Sequence, residues 1–158
     1  MNHSATLLAF ATALGCGLIA GVFFAFSTFV MKALARLPAH EGIAAMQSIN
    51  VFAVNSGFLA AFLGTSAACL LLAGFSLVRL SEPTAIWLLL GAVIFLAGTF
   101  LVTMVCNVPM NNALAALSPT APGSAERWAD YLKNWTLWNH VRTLAALAAT
   151  GFLIAGLR

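Results

Sequence analysis

Four stretches of this chain contain no Asp, Glu, Lys or Arg: residues 1–31, 42–78, 83–125 and 143–157. Nothing else constrains the fold as much, because each of the first three can supply the roughly 20 apolar residues that cross a bilayer core. Of 158 residues, 62% are hydrophobic and 7% charged, against roughly 25% charged in an ordinary soluble domain. That balance excludes a water-soluble globule. Acid-rich disorder, a disulfide scaffold and a nucleic-acid module are excluded too, since the seven Lys and Arg residues are scattered and form no basic stripe. The net charge of +3 reads as loop charge on a membrane protein.

The N-terminal apolar block is longer than a signal peptide's hydrophobic region and has no Lys or Arg ahead of it. It reads as a retained helix, with the mature chain beginning near Met1. Ala13-Leu14-Gly15-Cys16 has the look of a lipoprotein cleavage box but lacks the preceding basic residues. Cys16, Cys69 and Cys106 stand singly in different apolar segments, without C-x-x-C or a nearby His, and read as small packing residues.

These blocks predict an all-α integral membrane four-helix bundle, a single transmembrane domain over residues 1–158. The spans fall at about residues 5–31, 51–77, 84–106 and 135–157, with both termini on one side. Residues 78–83 make a tight turn, whereas the connections 32–50 and 107–134 are long and share the opposite membrane face. That face carries Lys32, Arg36, Arg127, Lys133 and, near a helix start, Arg142, against Arg79 and Arg158 on the other. The positive-inside tendency puts the long loops in the cytoplasm, at a bacterial inner membrane. Ile43, Met46, Gln47, Ile49 and Asn50 suggest an interfacial amphipathic helix in the first loop. Residues 125–133, with Trp128, Tyr131 and Leu132 on one side, suggest another after the breakers Pro119, Pro122 and Gly123.

The two halves echo one another. Met31-Lys32-Ala33-Leu34-Ala35-Arg36-Leu37 returns, with one insertion, as Met110-Asn111-Asn112-Ala113-Leu114-Ala115-Ala116-Leu117, and each copy precedes a proline, Pro38 or Pro119. Asn50 and Asn55 are matched by Asn134 and Asn139. Ala and Leu abundance alone makes part of this pattern cheap. As a true repeat it would mean two pseudo-repeats with the site where they meet.

Polar residues inside the spans point to chemistry, because an Arg near a helix centre costs roughly 2.5 to 3.5 kcal/mol on insertion. Arg142 lies about two turns into the fourth span. At 100° per residue, Trp135, Trp138, Asn139 and Arg142 share one face while Thr136, His140 and Thr143 take the adjoining one. One reading makes Trp135 and Trp138 interfacial anchors, with Arg142 and His140 snorkelling to head groups. The other has Arg142 hold an anionic or enolate oxygen, with His140 as base or ligand.

Asn107, Pro109, Asn111 and Asn112 form the matching cluster at the end of the third span, read either as a helix terminator or as amide donors and acceptors beside freed carbonyls. Asn107, Asn111, Asn139 and Arg142 are expected to converge in one cavity. Ser27 and Thr28, beside Phe23, Phe24 and Phe26, could add hydroxyls and an aromatic wall; His3 and His40 read as solvated. No H-E-x-x-H, G-x-S-x-G, phosphate loop or dinucleotide motif occurs. Glu41, Glu82, Glu126 and Asp130 all fall in loops, so no metal site is expected. A haem held by His140, alone or with a second histidine or a partner chain, is the chemically possible cofactor.

G-V-F-F-A-F-S-T-F-V-M at 21–31, N-V-P-M-N at 107–111 and W-x-x-W-N-H-V-R-T at 135–143 together resemble the anthrone-oxygenase-like family of small bacterial and fungal membrane proteins. The resemblance spans nearly the whole chain and implies a four-helix membrane bundle. For the characterised branch it implies oxidation of polycyclic anthrones to anthraquinones, with no established cofactor; most bacterial members have no assigned activity. Lys32 stands where the family pattern has Pro, a departure bearing on the first loop. The expected function is a membrane-embedded oxygenase acting on a hydrophobic, enolisable aromatic. In it, His140 or a water on Asn139 removes a proton, while Arg142 with Asn107 or Asn111 stabilises the oxyanion. The alternatives are a non-catalytic haem- or lipid-binding protein, such as a homodimer in electron transfer or a subunit role, and a small transporter half.

Overall fold

The computed structural model describes residues 3–158; the expected chain start at Met1 lies outside them. The described chain is helical, with five rods: α1 His3–Leu34, α2 Ala39–Val54, α3 Gly57–Leu77, α4 Ala85–Ala115 and α5 Ser124–Ala155. Helices α1, α3 and α4 are long and apolar enough to cross a bilayer, and the chain is an integral membrane protein.

The helix count corrects the expectation of four spans plus two separate interfacial pieces. Helix α5 runs unbroken for 32 residues, so the segments read as 125–133 and 135–157 are one rod. No Gly or Pro interrupts it before Gly151. At 1.5 Å per residue it is about 48 Å long, against a hydrocarbon core of roughly 30 Å. The second span, expected from residue 51, begins at Gly57 instead. Ser56 leaves the helical region (φ −116°, ψ 173°), and its Oγ accepts from the Phe58 amide at 3.2 Å, a serine N-cap.

Helices α1 and α4 continue past their expected ends at residues 31 and 106. Both contain π-helical stretches: Phe26–Val30 in α1, and Leu96–Leu101 and Thr103–Asn107 in α4. Pro109 does not terminate α4. It lacks the N–H for the carbonyl one turn back, and the widened turn just ahead of it absorbs the mismatch.

Helix α5 lies along α1 and α4, and α3 packs against both of those. Small residues face inward: on α1, Ala9, Ala13, Cys16 and Ala20 are buried while Leu7, Phe10, Leu14 and Leu18 are exposed. Lipid gives no hydrophobic reason to bury a leucine, so close approach decides which face is inside. At Gly91 an added Cβ would stand 3.0 Å from the Ala149 carbonyl oxygen, and α4 meets α5 through that gap.

The packing forms two cores. One, in the spans, joins residues such as Cys16, Phe62, Leu88 and Ala149. The other gathers Met31, Leu34, Ile43, Met46, Leu114, Trp128, Tyr131 and Trp135 where the two long connections meet. Gln47 ties this end together, donating its Nε2 to the carbonyls of Leu114 and Leu117, each at 2.8 Å, and so satisfies orphan acceptors where α4 finishes.

Candidate functional site

Between the two cores lies a band of buried polar side chains. Its frame is the inward stripe of α5, where Trp128, Tyr131, Trp135, Asn139, Arg142, Ala146, Ala149 and Leu153 recur every three or four residues and are all buried. Arg142 is only 4% exposed. Its NH2 donates to Asn139 Oδ1 at 2.7 Å and its NH1 to Thr103 Oγ1 at 3.3 Å. The guanidinium carbon stands 4.1 Å from the Phe23 ring centroid and 5.0 Å from that of Trp135, within cation–π range.

Asn139 fixes the arginine from behind. Its Nδ2 donates to the Phe23 carbonyl and to Ser27 Oγ, both at 2.7 Å, beside the π-helical stretch of α1. Ser27 then has its own proton for Thr143 Oγ1 at 3.1 Å, and Thr143 donates to the Asn139 carbonyl at 2.8 Å. Thr103 donates to the Thr99 carbonyl at 2.7 Å, leaving a lone pair for Arg142. Both Nδ2 protons of Asn139 and one lone pair of its Oδ1 are held by neighbours, so it clamps the arginine in place. Arg142 Nε has no hydrogen-bond partner, and among the described residues no carboxylate reaches the guanidinium.

Arg142 forms part of the wall of a cavity of about 680 Å³, shared with Phe23, Phe26, Phe58, Phe62 and Trp135. That volume suits a small organic ligand. The polar lining consists of Arg142, Thr103, Asn111 and Asn50, with Ser48 and Ser56. Asn111 Oδ1 accepts from Tyr131 Oη at 2.9 Å and from Trp135 Nε1 at 2.8 Å, which fixes the amide's rotamer and leaves Nδ2 as its donor. Burial pushes the Tyr131 phenol above its usual range, so it stays protonated and donates.

The expected site is thus brought together in part. Arg142 and Asn111 share the cavity wall, and Asn139 stands behind Arg142. Asn107 is fully buried and gives its Nδ2 to the Trp135 carbonyl at 3.2 Å, with Oδ1 unpartnered; it lies outside the cavity lining. His140 is exposed and does not line the cavity, a correction to its expected place beside Arg142. It follows Asn139 by 100° around α5, which takes it off the buried stripe. Trp138 turns outward as well, at 38% exposed. Thr28 donates to the Phe24 carbonyl of its own helix at 2.7 Å.

Three contributors were missing from the sequence reading: Thr103, Asn50 and the Tyr131 hydroxyl. The signal for the first was present in Thr99 and Thr103, a hydroxyl pair four apart on one face of a span. Tyr131 continues the stripe that Trp135, Asn139 and Arg142 define.

The cavity lining contains no His, Cys or Tyr, and His140 lies outside it, so His140 holds no haem within this cavity. Met46 and Met104 are the lining side chains of a type that can ligate haem iron. Among the described residues no three His, Cys, Asp or Glu side chains gather as a metal-binding set. The arrangement offers an aromatic-walled cavity with one uncompensated cation and oriented neutral donors, suited to an oxyanion on an apolar body.

Comparison with known proteins agrees with the residue motifs. The anthrone oxygenase family model matches residues 50–152, covering N-V-P-M-N, the Trp135 to Thr143 motif and most of the cavity wall, but not the first helix. No curated protein and no solved structure matches the chain. With well over half of its length matched, the chain belongs to the anthrone oxygenase family.

Proposed function

We propose that the chain is a membrane-embedded oxygenase that binds a hydrophobic, enolisable aromatic ketone of the anthrone type, with Arg142 against the enolate oxygen. The observation carrying this reading is a buried guanidinium, on the wall of an apolar cavity of about 680 Å³, that no carboxylate neutralises. A cation is costly in such surroundings, and a substrate that becomes an anion supplies the missing charge.

In the reaction, the ring CH₂ opposite the carbonyl loses a proton, and Arg142 with Asn111 Nδ2 stabilises the enolate that forms. No Asp, Glu or His lines the cavity, so the proton passes to water at the Ser48 and Ser56 edge. The electron-rich carbon then adds dioxygen, and the resulting hydroperoxide loses water to become the second carbonyl. One oxygen atom ends in the quinone and the other in water. The substrate supplies all four electrons, so the balance closes without an external reductant. On the Lys and Arg distribution, the long connections face the cytoplasm across a bacterial inner membrane.

The test is the purified protein in lipid nanodiscs with anthrone and ¹⁸O₂. Anthraquinone carrying a single labelled oxygen, made far faster than in empty discs and lost with Arg142→Met, supports the reading. Anthrone that binds without turnover makes this a binding protein, and a rate unaffected by Arg142→Met removes the arginine from the chemistry.

A further inference from the structure

The cavity opens among exposed apolar side chains. Among its lining residues, Phe52 is 72% exposed, Val54 57%, Leu63 48% and Met104 48%. They come from the end of α2, the start of α3 and the middle of α4, and Phe52 and Val54 lie just ahead of the interruption at Asn55 and Ser56. Exposing that much apolar rim to water would be unfavourable, at roughly 25 cal/mol per Å²; facing acyl chains it costs nothing. A site that gathers anions from water displays its positive charge outward. Here the only ionisable lining residue is Arg142, itself 4% exposed. Ser48, Asn50 and Ser56, at the end of α2 and the break after it, are the polar lining residues on this side of the cavity.

We propose that the cavity loads sideways from the bilayer, between the α2–α3 break and α4, and takes its substrate as an uncharged, lipid-dissolved aromatic. This rests on reading the Arg142 cavity as the oxidation site and adds to it both the route and the substrate class. A ligand with a permanent charge is disfavoured twice: it partitions poorly into the acyl layer, and a second negative charge finds no second cation in the cavity.

The first test needs no substrate. Leu59 lines the cavity, and Leu59→Cys is introduced with Cys16, Cys69 and Cys106 replaced by Ala, then reconstituted in vesicles. A lipid-soluble maleimide should label it at least tenfold faster, relative to Ser81→Cys, than a membrane-impermeant sulfonated maleimide present on both sides. Equal relative rates overturn the lateral route. Should the cysteine-free background fail to fold, the unaltered protein is assayed with anthrone at fixed total amount while lipid is added. The rate should fall as the bilayer mole fraction of anthrone falls, and an anthrone bearing a ring sulfonate should be oxidised at least tenfold more slowly. A rate indifferent to added lipid, or equal turnover of the sulfonate, overturns the proposal while leaving the oxidation reading intact. Lipid-selective labelling without any anthrone oxidation does the reverse.

Discussion

At position 142 a guanidinium is surrounded by neutral partners, and a substitution there separates catalysis from stability. Arg142→Met removes a buried charge and strands no carboxylate, but leaves Asn139 Oδ1 without its donor, so the two effects offset and the variant should melt close to the wild-type temperature. Turnover should fall by about 10²- to 10³-fold, the cost of a lost oxyanion donor. Arg142→Lys keeps the charge but cannot hold Asn139 Oδ1 and Thr103 Oγ1 with one planar fork, and its kcat/KM should lie between the two. A Met variant that melts far lower would make the arginine a structural strut. His140, exposed on the outer face of α5, should behave differently: His140→Ala is expected to keep kcat/KM within about twofold. Because no titrating carboxylate or imidazole lines the cavity, kcat/KM should climb with pH without an inflection near about 6.5, the ordinary histidine value. An inflection there that disappears in His140→Ala would return the histidine to the mechanism.

The helices carry their own predictions through the π-helical stretches. Thr103 opens the stretch Thr103–Asn107, and Pro109 stands two residues beyond its end. Pro109→Ala restores a backbone donor and should let α4 close into regular helix, turning Thr103 by about 100°, one residue's step, relative to Arg142. Helix content by circular dichroism should stay constant while anthrone turnover drops about tenfold, the equivalent of 1.4 kcal/mol. A Pro109→Ala protein with full activity would mean that the widened turn does not aim Thr103. Such features explain what was and was not legible in the sequence. The spans were, because charge-free length is a strong signal, and so was the polar stripe of α5, because Trp135, Asn139 and Arg142 stand out against alanine and leucine. The break at Asn55 and Ser56 was hidden by the apolar run at 51–54, and the π-helical stretches change no residue type. Burial on α1 was illegible for a deeper reason: inside and outside are both apolar, and only side-chain size tells them apart. His140 does stand on the adjoining face that the 100° step predicts; its chemistry made it a candidate base, and its exposure was not legible from residue type.

On the scale of the whole molecule, two apolar cores hold a polar band between them, and the ends of α1 and α4 meet α2 and the start of α5 at one end. Reporter fusions at Ser81 and after Arg158 should therefore report one compartment and a fusion at Gly123 the other; any other pattern removes a span from the count. The polar band also has a consequence for how the protein is made. The stretch holding Asn139 and Arg142 is poorly suited to leave the translocon alone, since a central Arg opposes insertion by roughly 2.5 to 3.5 kcal/mol. The groups that satisfy it, the Phe23 carbonyl, Ser27 and Thr103, belong to helices synthesised earlier. Biogenesis is then ordered by chemistry: a nascent chain ending at Ala115 should integrate unaided, while the final helix waits at the membrane surface until its predecessors present a hydroxyl-lined berth.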